Sequence, residues 1–76
     1  MDFFQPLPID MFPQPLEGIV EWQIAWGRTG RVKLVGISWA ARLLAEHPAT
    51  PLQVGQVVMV VGRQGNTLLV QPKGFV

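Results

Sequence analysis

Ser38 and His47 are the only serine and the only histidine in the 76-residue chain, and Asp2, Asp10, Glu17, Glu21 and Glu46 are its only carboxylate side chains. Hydrolytic chemistry would need a nucleophile, a base and an orienting acid brought together. Ser38 sits inside an alternating apolar segment and His47 precedes Pro48 in a loop-like stretch, so no defensible spacing assembles a triad or an acid–base pair. A lone histidine cannot hold a metal, and without cysteine there is neither a thiolate site nor a disulfide. Gly62-Arg63-Gln64-Gly65 has the glycines of a phosphate loop but not its lysine or following helix, and reads better as a hairpin turn. The sequence implies no enzyme: no catalytic residue, no metal and no cofactor.

Binding chemistry is the alternative. Arg31, Lys33 and Arg42 are cations that could neutralise phosphates, and Trp22, Trp26 and Trp39 are aromatic rings that could stack on bases. What these side chains can do depends on the faces they occupy, and strand alternation sets the faces. From Gly18 the pattern puts Val20, Trp22, Ile24 and Trp26 on one face and Ile19, Glu21, Gln23 and Ala25 on the other. A turn at Gly27-Arg28-Thr29-Gly30 leads to a second strand, Arg31 to Val35, with Val32 and Leu34 inward and the cations outward. Gly36 then turns the chain, taking the positive φ alone because a β-branched valine tolerates it poorly. A third strand follows, with Ile37, Trp39, Ala41 and Leu43 inward and Ser38, Ala40 and Arg42 outward. Residues 39–46 also contain good helix formers, so a helix there stays open.

Val57-Val58-Met59-Val60-Val61 and Leu68-Leu69-Val70 are strands four and five, joined as a hairpin across Gly62 to Asn66. Five short strands and glycine turns in some 55 residues describe an all-β, small five-stranded closed barrel, OB-fold-like, with an SH3-like barrel as the runner-up. On this reading the three tryptophans fill the core. Arg31, Lys33 and Arg42 share the outer face with Val35, Ser38 and Ala40. No aromatic interleaves with them, and Glu21 lies diagonal to Lys33 if Ile24 pairs with Val32, which favours a solvated charged face.

Two features are less ordinary. Strand four is apolar on both faces: if Val57, Met59 and Val61 point inward, Val58 and Val60 point outward, beside outward Leu69. The first 16 residues hold Pro6, Pro8, Pro13 and Pro15, which predicts an extended arm and argues against a central strand. Phe3, Phe4 and Phe12 make that arm too apolar for a solvated tail. The outward patch of Val58, Val60 and Leu69 then needs cover from the arm, a second copy or a foreign partner, at roughly 1.5 to 3 kcal/mol for each side chain buried. The composition agrees, with 49% hydrophobic and 14% charged residues and a net charge of +1 that exerts little pull on nucleic acid or anionic lipid. No segment approaches the roughly 20 apolar residues of a membrane span, and no basic, apolar leader opens the chain, so a cytoplasmic protein is expected.

The order of these parts resembles the C-terminal domain of the NfeD family. The matching pieces are Gly18; Gly30-Arg31-Val32; Gly36-Ile37-Ser38-Trp39-Ala40-Ala41; Gly55-Gln56-Val57-Val58-Met59-Val60; and Gly65 with Leu68-Leu69-Val70-Gln71-Pro72. The resemblance covers all but the N-terminal arm and implies an OB-fold without catalytic residues. It also implies a setting, since such domains follow membrane-spanning helices, sometimes a serine protease domain, and associate with stomatin-like or flotillin-like membrane proteins. These 76 residues contain neither span nor protease domain, so membrane attachment and proteolysis do not carry over. The expectation is a protein-interaction module that meets a membrane only through its partner scaffold. Its partner-binding residues would be Val58, Val60, Leu69, Phe3, Phe4 and Phe12, with a homodimer as one form of the contact. The competing expectation is single-stranded nucleic-acid binding through Arg31, Lys33 and Arg42.

Overall fold

A computed structural model describes residues 7–46 and 51–74, and within them the chain forms five strands and no helix. β1 spans Ile9–Trp22, β2 Gly30–Leu34, β3 Ile37–Leu43, β4 Val57–Gln64 and β5 Thr67–Pro72. They close into an OB-fold-like barrel in the order β1-β2-β3-β5-β4, with β3 and β5 parallel and the other neighbours antiparallel. The helix left open over 39–46 is not formed as far as the chain is described: β3 runs to Leu43 and 44–46 are bends.

β1 is the strand that sequence reading misjudges. It begins at Ile9, inside the expected arm, and pairs with β4 through Ile9, Asp10 and Met11 opposite Gln64, Arg63 and Gly62. Proline's missing donor does not prevent this, because the pairing breaks where the prolines fall. Met11 faces Gly62 and the next partners are Leu16 and Val60, so Pro13 and Pro15 lie in surplus residues that make no ladder bonds with β4. Half-buried Phe12 packs against the core of its own barrel. Phe3 and Phe4 lie outside the described residues.

The core contains Val20, Ile24, Val32, Ala41, Leu43, Leu52, Val58, Val60, Leu68 and Val70, with Leu34 and Trp39 packed at its edge. Ile24 does not pair with Val32. Val32 faces Val20, and Ile24 exchanges both backbone hydrogen bonds with Leu52 (3.0 and 2.8 Å), closing one end of the barrel with two fully buried side chains. Between Val20 and Trp22 the register slips by one residue, a bulge at Glu21. That bulge reverses the alternation, so Trp22 points outward and is 64% exposed. Trp26, in the turn that follows, is also exposed. Of the three tryptophans expected in the core, only Trp39 touches it.

A second correction concerns β4. Val58 and Val60 point inward and are fully buried, whereas Val57 is exposed. The five apolar residues of this strand contain no polar one to fix their parity, and β1 fixes it instead. Gly18 lies inward beside Val20, where a Cβ would press on Val32 and Val60, and its partner across the ladder is Val58. A bulge at Val61 between Val60 and Gly62 then brings Gly62 opposite Leu69, and both Val61 and Leu69 are buried outside the main core cluster.

The β2–β3 turn departs from expectation at Val35, since Gly36 does not take the positive φ alone. Leu34 pairs with Ile37, so Val35 and Gly36 form the whole loop, and both take positive φ (49° and 78°). This is the type I′ arrangement, in which Asn or Gly normally occupies the first position. A valine there costs about 1 to 2 kcal/mol. Val35→Asn should therefore stabilise the fold by about 1 kcal/mol, read as a higher urea midpoint with unchanged slope; a lower midpoint would show that the turn differs.

Candidate interaction surface

The bulge at Glu21 decides what the barrel shows to solvent. With Trp22 turned out opposite Arg31, the Arg31 guanidinium stands over the indole ring, 5.6 Å from its centre. The same guanidinium donates from Nε to the Ser38 hydroxyl (2.8 Å) and from Nη2 to the Ser38 carbonyl (3.1 Å). Ser38 is thus a hydrogen-bond acceptor for a neighbouring arginine, and no histidine or carboxylate activates it among the described residues; His47 lies outside them.

The three cations grouped by sequence do not act together. Arg42 reaches across β5 and donates from Nη2 to Gln64 Oε1 (2.6 Å), and the Gln64 amide in turn donates to the Leu7 carbonyl (2.8 Å). Arg31 is engaged by Trp22 and Ser38. Lys33 alone projects freely, and among the described residues no carboxylate pairs with it. Glu21, expected diagonal to Lys33, is half-buried at the bulge. The described residues contain no group of three His, Asp or Glu side chains that could hold a metal.

The apolar surface lies beside Lys33. Across the barrel's outer face, Ser38, Lys33, Ile19 and Val57 are consecutive ladder partners on β3, β2, β1 and β4, and all four are exposed. Next to this row the β2–β3 turn carries Val35, 87% exposed. Glu17, Gly18, Ile19, Lys33, Val35, Gly36 and Val57 together line a shallow concavity of about 290 Å³. On its Glu17 side the carboxylate is engaged by Lys73, 2.6 Å away. Lys33 therefore supplies the unpaired charge of this site.

Of the residues expected to meet a partner, the four that are described are not on this surface, and Phe3 and Phe4 lie outside the described residues. Val58, Val60 and Leu69 are fully buried, and Phe12 packs into its own domain. An apolar outer face exists, shifted by one residue along β4 to Val57. Alternation along β1 and β2 does place Ile19 and Val35 outward. What would have joined them to β4 is the pairing of Gly18 with Val58, a contact between distant segments that no local pattern displays.

Comparison with known proteins places this geometry among relatives. The NfeD-like C-terminal, partner-binding domain matches residues 16–72. The soluble domain of a Corynebacterium glutamicum membrane protein implicated in regulation of membrane protease activity superposes with a TM-score of 0.68 at 27% identity, covering 79% of this chain and 90% of that one. The C-terminal domain of a stomatin operon partner protein from Pyrococcus horikoshii superposes with a TM-score of 0.60 at 30% identity, covering 74% of this chain and 80% of that one. No curated protein matches.

The parity of β4 is directly testable. Val60→Lys buries an uncompensated ammonium and should cost more than 3 kcal/mol, enough to unfold a domain of this size. Val57→Lys, one face away, should change stability by less than about 0.5 kcal/mol. Equal effects in chemical denaturation would contradict the assignment.

Proposed function

The chain belongs to the NfeD family, as its C-terminal, partner-binding domain, and from that premise we propose that it is a non-enzymatic interaction module docking on a stomatin-like or flotillin-like scaffold. The module works in the cytoplasm and meets the membrane only through that partner. One observation carries this reading: the outer face keeps Ile19, Val35 and Val57 exposed together around a concavity, although the barrel interior is already filled by its own core. Apolar side chains grouped in that way on a small domain mark a contact surface. The similarity to a stomatin operon partner supports the choice of scaffold.

A second reading has its own support. Trp22 on β1, stacked with Arg31 at the edge of the β2–β3 face where OB-folds take nucleic acid, is an exposed aromatic platform. It is the weaker reading, because Arg31 and Arg42 are engaged within the barrel.

Calorimetric titration of the full chain with the soluble part of a stomatin-like protein from the same organism should give a dissociation constant in the micromolar range, on the order of that for small transient interfaces. No heat at about 100 μM of partner would contradict the proposal. An oligothymidylate titration at low salt should be flat. Binding that weakens steeply as salt rises would favour the nucleic-acid reading instead.

A further inference from the structure

The concavity beside Lys33 carries more information than its exposure. Between the charged Glu17 and Lys33 its walls are aliphatic, with Ile19, Val57 and Val35 supplying the methyl groups and Gly36 adding no side chain beside them. At about 290 Å³ it lies at the lower limit for small-molecule sites, too shallow to enclose a cofactor and large enough for an inserted side chain. The backbone around it is not available for strand addition, because Ile19 is paired on both sides, with Lys33 and Val57. Recognition there must use side chains.

The electrostatics of its rim are one-sided. Glu17 is held by Lys73, which leaves Lys33 as the cation facing whatever enters. A partner that complements this rim brings a carboxylate next to its apolar residue.

Val35 adds an independent observation. The turn forces it to φ 49°, a conformation unfavourable for a β-branched residue, and leaves it 87% exposed. Neither burial within the fold nor turn chemistry accounts for a valine there. Strain maintained at an exposed position is a mark of binding surfaces, and Val35 is the part of the concavity wall that stands furthest into solvent.

We infer that this concavity docks an extended acidic protein segment, one that inserts an aliphatic side chain between Ile19, Val35 and Val57 and sets a neighbouring carboxylate against Lys33. The inference rests on the partner-binding reading above and names the chemistry of that contact.

The test uses the full, isotopically labelled chain and two capped ten-residue Gly/Ser peptides, one carrying Leu-Asp-Leu-Glu and the other Leu-Lys-Leu-Lys. The acidic peptide should shift backbone resonances of Ile19, Lys33, Val35, Gly36 and Val57 in a saturable manner. The lysine peptide should bind roughly tenfold more weakly. Val35→Asn should weaken the acidic peptide by roughly tenfold while raising thermal stability, so that misfolding cannot explain the loss. Lys33→Glu should reverse the preference between the two peptides. Equal binding of both peptides, shifts centred on Trp22, or no shifts at all would overturn the inference. So would movement of the same resonances only on adding vesicles of phosphatidylcholine and phosphatidylglycerol, or only on raising the concentration of the chain itself.

The stomatin-like protein separates the two levels of the claim. If it binds the wild-type chain and both variants equally, the concavity is not the docking site and the partner-binding function stands. If it binds none of them while the acidic peptide behaves as described, the choice of scaffold falls and the chemistry of the concavity stands.

Discussion

The structure depends on β1 being hydrogen-bonded along both edges. Its second half pairs with β2 on one side and β4 on the other, and this closes the barrel. Closure fixes which way every neighbouring side chain points, because alternation on one strand is transmitted through the ladder to the next. Gly18 is where that transmission is strictest. It faces inward, with no room for a side chain between Val32 and Val60, and it carries Val58 inward with it. The apolar core and the apolar outer face are two consequences of the same register.

This explains which parts of the fold were legible in the sequence. The number of strands, the limits of β3 and the hairpin between β4 and β5 follow from local signals: apolar runs, alternation and glycine turns. Ala41, Leu43 and Val32 face inward as alternation requires. The bulges at Glu21 and Val61 have no such signal, since each is one extra residue defined only by its pairing with another strand. The Glu21 bulge moves Trp22 from the expected core to the surface, and the glycine-set register of β4 moves Val58 and Val60 the other way. Beyond the Glu21 bulge the reversal does not persist, since Ile24 is back in the core. The pairing of Ile9 to Met11 with β4 was hidden for a different reason: the prolines that argue against a strand sit where the ladder is interrupted.

The surface reading changes accordingly. Charge taken from the sequence groups Arg31, Lys33 and Arg42, but folding engages two of them, one on Trp22 and Ser38 and the other on Gln64. A cation's value to a ligand depends on what already holds it. The same holds for apolar residues: Val58 and Val60 contribute to stability, while Val57, one position away, is free to contribute to recognition. Val35 shows that stability was not the only quantity shaping the chain, because the turn would be more stable with asparagine in its place.

The central claim is that Ile19, Val35 and Val57 form the contact surface while Val58 and Val60 form the core. Methyl-resolved NMR with a soluble paramagnetic gadolinium chelate, with and without the stomatin-like protein bound, tests it most directly. In the free chain the methyl signals of Ile19, Val35 and Val57 should be strongly attenuated and those of Val58 and Val60 spared, and binding should protect the first three. Attenuation of Val58 and Val60 would contradict the fold assignment, and unchanged attenuation of Ile19, Val35 and Val57 in the complex would contradict the contact surface.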